Sequence, residues 1–206
     1  KEKWESFLNE EVGIRTKDYL GLKFNSTTSK TPCGICAALL PNEELVEAVL
    51  DLDDKTIMVH DDKVLAIKPF PDESNNLEKS LKDYNKVTYL GEYDLLGRPM
   101  DIFSLNDKEI NNDLKRLAND DLKRTTFGSH NAIIGDQVYI QDGAKVQGSF
   151  LNSEDGPIYI AKGAEIMEGS LVRGPFVMHK GSVLKLGTKV YGATTIGPYC
   201  KVGGEI

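Results

Sequence analysis

From residue 134 onward the chain sets an aliphatic side chain at every sixth position. Ile134, Ile140 and Val146 open the series, and Ile160, Ile166, Val172, Met178, Leu184, Val190, Ile196 and Val202 continue it. Four residues after each anchor stands a small or apolar side chain: Val138, Ala144, Phe150, Ala164, Ser170, Phe176, Ser182, Thr188, Thr194, Cys200 and Ile206. Glycine recurs between them, at Gly135, Gly143, Gly163, Gly181, Gly187 and Gly197. A fixed period of this kind marks a solenoid. In a short strand alternate side chains share one face, so anchor and companion fill a narrow interior. Glycine then lets the backbone turn. Three such steps close a triangular coil, and coils stack at the inter-strand spacing of about 4.8 Å.

Between Val146 and Ile160 the period breaks. The extra residues include Asn152-Ser153-Glu154-Asp155-Gly156-Pro157, which is turn chemistry, so a loop leaves the coil there. The solenoid reaches Ile206 without a capping helix or polar last repeat. Together with a first residue, Lys1, that is not Met, this suggests a chain incomplete at both ends.

Upstream the composition changes. Six of 19 glycines precede residue 131, and the last 76 residues hold seven Lys or Arg against seven Asp or Glu, so the net charge of −7 resides in the first 130. The pattern there is α/β. Trp4 to Leu8 and Lys17 to Leu22 suit short helices. The run Ile35-Cys36-Ala37-Ala38-Leu39-Leu40 suits a buried strand, and Pro41-Asn42 opens a helix over 43–50, with acids in its first turn. Thr56 to Val59 and Val64 to Ile67 flank Asp61-Asp62 as a hairpin, and Tyr84 to Leu90 suits one more strand. Ile110, Leu114, Leu117 and Leu122 stand near helical spacing, so a helix over 106–122 leads into the coils.

Several classes drop out. An acidic chain without a basic block is no nucleic-acid binder. No apolar run is long enough to span a membrane, and no apolar segment follows the charged residues 1–5, which points to the cytoplasm. Three cysteines fit a reducing compartment. Cys33-Gly34-Ile35-Cys36 lacks the second pair or close histidines of a zinc site, and a packing role is expected for it.

The repeat resembles the left-handed β-helix family of hexapeptide acyltransferases and the related tails of sugar nucleotidyltransferases. Handedness is taken from that resemblance, since crossover connections are otherwise right-handed. The order of parts is similar to that of two-domain sugar-1-phosphate nucleotidyltransferases, among them the bifunctional N-acetylglucosamine-1-phosphate uridylyltransferase/acetyltransferase. Leu96-Gly97-Arg98-Pro99-Met100-Asp101-Ile102-Phe103 with Asn106-Asp107, Glu2-Lys3-Trp4 and Gly156-Pro157-Ile158 carry it. The resemblance implies a partial nucleotidyltransferase-like α/β domain over 1–105, a connecting helix over 106–130 and a left-handed parallel β-helix over 131–206. The family's phosphate cradle is a Gly-rich loop followed by Arg and Pro. The chain contains no such loop.

Three functions follow. A nucleotidyltransferase would take a sugar phosphate and a nucleotide, with Mg²⁺. An acyltransferase would take acetyl-CoA, with a His as general base. A β-helix without catalysis would serve as an assembly platform. A homotrimer through the β-helix is implied in each case. For acyl transfer the candidate base is His179, beyond the interior anchor Met178. Arg173, Lys180 and Tyr191 are candidates for substrate binding. Arg173 and Tyr191 lie one coil apart and should stack. His130, where helix meets coil, suits packing. A carbonic anhydrase on the same coil would need three histidines on adjacent coils; of His60, His130 and His179 the first lies outside it.

Overall fold

A computed structural model describes residues 1–21, 23–24, 33–71, 81–117 and 130–204 of the 206. The chain divides into two compact units, Lys1–Pro99 and Met100–Ile206.

In the first unit, helix α1 (Glu2–Leu8) ends in a left-handed residue, Asn9, and α2 (Asp18–Gly21) is a single turn. Strands β1 (Gly34–Ile35) and β2 (Leu39–Leu40) replace the single strand expected over 35–40. The break has a physical cause. The Leu39 N–H turns back to the Cys36 carbonyl, and the Leu39 carbonyl accepts the Trp4 indole N–H at 2.9 Å. Helix α3 (Glu43–Leu50) begins where its cap predicts: the Asn42 side chain accepts from the Leu45 N–H at 2.8 Å and donates to the Glu92 carbonyl at 2.9 Å. Its apolar side buries Leu45, Val46 and Val49.

Strands β3 (Thr56–His60) and β4 (Lys63–Lys68) form the expected hairpin, with a register shift after Met58. Strand β5 (Asn85–Thr88) runs parallel to β3, giving the sheet order β1-β4-β3-β5. Strand β6 (Asp94–Leu95) pairs with β2. Trp4, Leu39, Leu45, Val49, Leu52, Met58 and Leu65 form the core between helices and sheet.

The second unit opens with helix α4 (Pro99–Leu117). It starts seven residues before the expected Asn106, with proline in its first turn, where a missing N–H costs nothing. Leu122 lies outside the described residues. Three four-stranded parallel sheets follow. Sheet I stacks β7 (Ala132–Ile134), β10 (Phe150–Asn152), β13 (Leu171–Arg173) and β16 (Lys189–Val190). Sheet II stacks β8 (Val138–Ile140), β11 (Ile158–Ile160), β14 (Phe176–Met178) and β17 (Thr194–Ile196). Sheet III stacks β9 (Lys145–Val146), β12 (Glu165–Ile166), β15 (Val183–Leu184) and β18 (Lys201–Val202). Each coil contributes one strand to each sheet, which makes a parallel β-helix of four coils, the architecture of the hexapeptide repeat.

The interior is a column of Ile140, Leu151, Ile160, Ile166, Val172, Met178 and Leu184, all buried. Two positions depart from the six-residue series. Ile133, not Ile134, packs into the first coil, because it is Ile133 that pairs with Leu151 while Ile134 pairs with Asn152 and is exposed. Ser149, not Phe150, is the buried companion there, and Phe150 points outward. The corner between Ile133 and Ile140 holds one residue more than the period, and the next-but-one holds one fewer. Cys200, expected inside, is exposed on the last coil, and Ile206 lies outside the described residues.

The buried hydroxyls are satisfied by backbone carbonyls. Ser149 donates to Gln147 or Met167, Ser170 to Lys185, Ser182 to His179 and Thr188 to Lys185. The extra residues after Leu151 form the expected loop. Its Gly156 rests on Pro175, and Gly174 lies so close to the Gly156 carbonyl that a Cβ there would stand 2.0 Å from that oxygen.

Asn106 ties helix α4 to the coils. It donates to the Ala193 carbonyl at 3.0 Å and accepts from the Thr195 hydroxyl at 2.9 Å. Ile110 and Leu114, one and two turns further on the same stripe, are buried.

Candidate functional site

Strand β13 pairs with β16 in the register Leu171 to Lys189 and Val172 to Val190, so Arg173 lies beside Tyr191 on neighbouring coils. Both are exposed, at the corner between sheets I and II. One coil before Arg173, Asp155 of the loop holds the guanidinium at 3.2 Å. Tyr191 thus follows Arg173 by one coil, while the strand register puts Asn152 one coil before it and Asp155 reaches the guanidinium from the inserted loop. The aspartate occupies the cation that an anionic substrate would need.

His179 and Lys180 are exposed at the next corner, where the chain leaves sheet II for sheet III. The three residues of β14 and its turn separate them from Arg173. The four candidates therefore form two surface pairs rather than one constellation. The His179 backbone is fixed, its N–H donating to Ile196 and its carbonyl accepting the Ser182 hydroxyl. Among the described residues no carboxylate or hydroxyl orients its ring. His130 is exposed at the entry to the first coil.

The first unit holds a polar cluster that the sequence did not announce. In open α/β sheets ligands bind beyond the carboxyl ends of the strands. The parallel strands β3 and β5 end at His60 and just before Tyr89. The His60 Nδ1–H donates to the Tyr89 carbonyl at 2.9 Å, which leaves Nε2 facing outward, 3.8 Å from Asp61 Oδ2. The Tyr93 ring meets the imidazole edge-on at 4.8 Å. Burial, and then the Glu44 carboxylate, push the Tyr89 hydroxyl above its ordinary pKa. His60 was hidden because Asp61-Asp62 after it signals only a turn. A shallow cleft of about 260 Å³ lies nearby, lined by Leu52, Asp53, Thr56, Met58, Val87 and Tyr89, among others.

The cysteine pair has no such arrangement. Cys33 and Cys36 are half-buried free thiols packed at the edge of the first core. Strand β1 lies between them. Three extended steps span about 10 Å, beyond the reach of a disulfide. Burial raises the Cys33 thiol, with Lys68 opposing. Among the described residues no group of three or more His, Cys, Asp or Glu converges as a metal cage.

An α/β unit of this kind followed by a parallel β-helix is the two-part layout of nucleotidyltransferase-like transferases. Residues 1–121 match the model of the sugar nucleotidyl transferase family, more than half of the chain, and the protein belongs to that family. Neither the curated proteins nor the solved structures yielded a match.

Proposed function

We propose that this protein is a transferase that handles sugar 1-phosphates in nucleotide-sugar metabolism, in the cytoplasm, through a nucleotidyltransferase-like domain carried on a β-helix. The observation that supports this is the family match over 1–121, which spans the α/β unit and helix α4. Within the reading, the substrate sugar lies at the carboxyl ends of β3 and β5, where His60 Nε2 can accept a hydrogen bond from a sugar hydroxyl. The triphosphate's Mg²⁺ is held mostly by phosphate oxygens and one or two carboxylates in such chemistry, so it needs no all-protein cage. In the same reading the β-helix assembles the protein, as a homotrimer.

A thermal-shift panel tests it: UTP and dTTP with Mg²⁺, glucose 1-phosphate, glucosamine 1-phosphate and acetyl-CoA. A ligand at 100 times its Kd stabilises by about 2.7 kcal/mol, a readily visible shift. The expected outcome is a shift with a nucleotide or sugar phosphate, followed by pyrophosphate release in an assay with both. A shift with acetyl-CoA alone would replace this reading with acyl transfer at the coils, with His179 as base and Arg173, Lys180 and Tyr191 around it. No shift with any ligand would leave the β-helix as an assembly platform.

A further inference from the structure

The shallow cleft of the first unit lies where helix α3 ends and strands β3 and β5 run side by side. Leu52, Met58 and Tyr89 line it and are buried, which gives it an apolar floor. Asp51 and Asp53 stand on its rim, both exposed, and neither carboxylate has an ion pair or a hydrogen bond among the described residues. Among those residues no lysine or arginine lines the cleft. Helix α3 adds to the same sign. Its last turn holds no basic residue, so nothing on the helix offsets the negative end of its dipole. The wall carries one more polar group. Thr56 is 3% exposed, and its hydroxyl reaches only the Asp54 carbonyl, at 3.4 Å. Hydroxyl bonds ordinarily measure about 2.5–3.0 Å, and buried polar groups are as a rule bonded, so this hydroxyl has bonding capacity left.

We infer that this cleft binds a small organic cation, an ammonium or guanidinium carried on a short apolar body. Each part of such a ligand has its counterpart. The two carboxylates and the helix end attract the positive head. The Thr56 hydroxyl can accept one of its N–H groups. The floor takes the apolar body out of water. The size fits as well. At about 260 Å³ the cleft falls short of the roughly 300 Å³ at which pockets for drug-sized molecules begin, so it takes a smaller ligand. The same field repels phosphate groups. The cleft is therefore no seat for a sugar phosphate or a nucleotide, and the inference stands apart from the function proposed above.

Amide NMR of the full chain tests this, with n-butylammonium as the probe and n-butanol and butyrate as its neutral and anionic counterparts. The expected result is a saturable shift of the Leu52, Thr56 and Thr88 amides with butylammonium. Butanol should bind at least fivefold more weakly, and butyrate should leave those amides unmoved. Asp51→Asn and Asp53→Asn should each weaken butylammonium binding at least threefold, and together at least tenfold, while Asp142→Asn on the β-helix leaves it unchanged. All three side chains are exposed, and circular dichroism checks that the fold persists. Thr56→Val keeps the shape of the wall, removes the hydroxyl and should weaken binding about twofold. Absence of a saturable shift would overturn the inference. So would equal binding of butanol and butylammonium, or binding that survives both aspartate substitutions. None of these outcomes bears on the thermal-shift panel, which tests the transferase reading separately.

Discussion

At the scale of single residues, two side chains do more than their type suggests. Asn106 is the polar member of a helix stripe that also holds Ile110 and Leu114, and it reaches the fourth coil. Asn106→Ala removes two hydrogen bonds and leaves the Ala193 carbonyl to find a new partner. The expected cost is about 1–3 kcal/mol, read from urea unfolding followed by circular dichroism. The cysteines separate by environment. Cys200 is exposed, whereas Cys33 is half-buried with its pKa raised, so at neutral pH less of Cys33 is thiolate. Iodoacetamide labelling followed by mass spectrometry should therefore modify Cys200 well before Cys33. Equal rates would mean that the packing around Cys33 opens.

At the scale of elements, the sequence was informative where one physical signal dominated. Helix α3 follows its Asn42 cap and its acidic first turn, and the structure places it over the expected residues. Asn42→Ala loses both the cap and the bond to Glu92. Thermal unfolding should register about 1–2 kcal/mol of destabilisation. The signals failed where two residues competed for one place. Ile133 and Ile134 are equally apolar, and the period alone cannot choose between them when a corner holds one residue too many. The same slip put Phe150 inside in place of Ser149. The apolar run over 35–40 gave no warning of its turn, because the cause, the Trp4 indole bonded to the Leu39 carbonyl, lies 35 residues away. Helix α4 extends N-terminal of Asn106 through Met100, Ile102 and Phe103, all exposed, so its first turns bury none of the apolar residues by which a helix start is read.

At the scale of the molecule, two cores of different kinds coexist in one chain. The first is a three-dimensional cluster around Trp4, Leu45 and Leu65; the second is a single file of aliphatic side chains along an axis. Leu184 is fully buried in that file, between coils above and below. Leu184→Ala should cost about 2–5 kcal/mol, measured by circular dichroism of the β-signal. Trp4 is the sole tryptophan, so its fluorescence reports on the first unit separately. The architecture could be read from sequence because it repeats. The candidate site could not, because catalysis draws on residues brought together once, and His60 meets Tyr89 and Tyr93 only through the pairing of β3 with β5.

The one-residue slip in the first two coils has a consequence for how this solenoid tolerates change. Every interior position is a tooth on a comb whose spacing is set by backbone pairing between coils. A saturation mutagenesis scan of residues 160–202 should return intolerance with a clean six-residue rhythm. Before the loop the intolerant positions should fall at Ile133, Ile140, Val146 and Leu151, spaced by seven, six and five residues rather than six throughout. Deletion of Glu154, exposed in the loop, should be absorbed, whereas one inside 176–196 should throw every later tooth out of mesh.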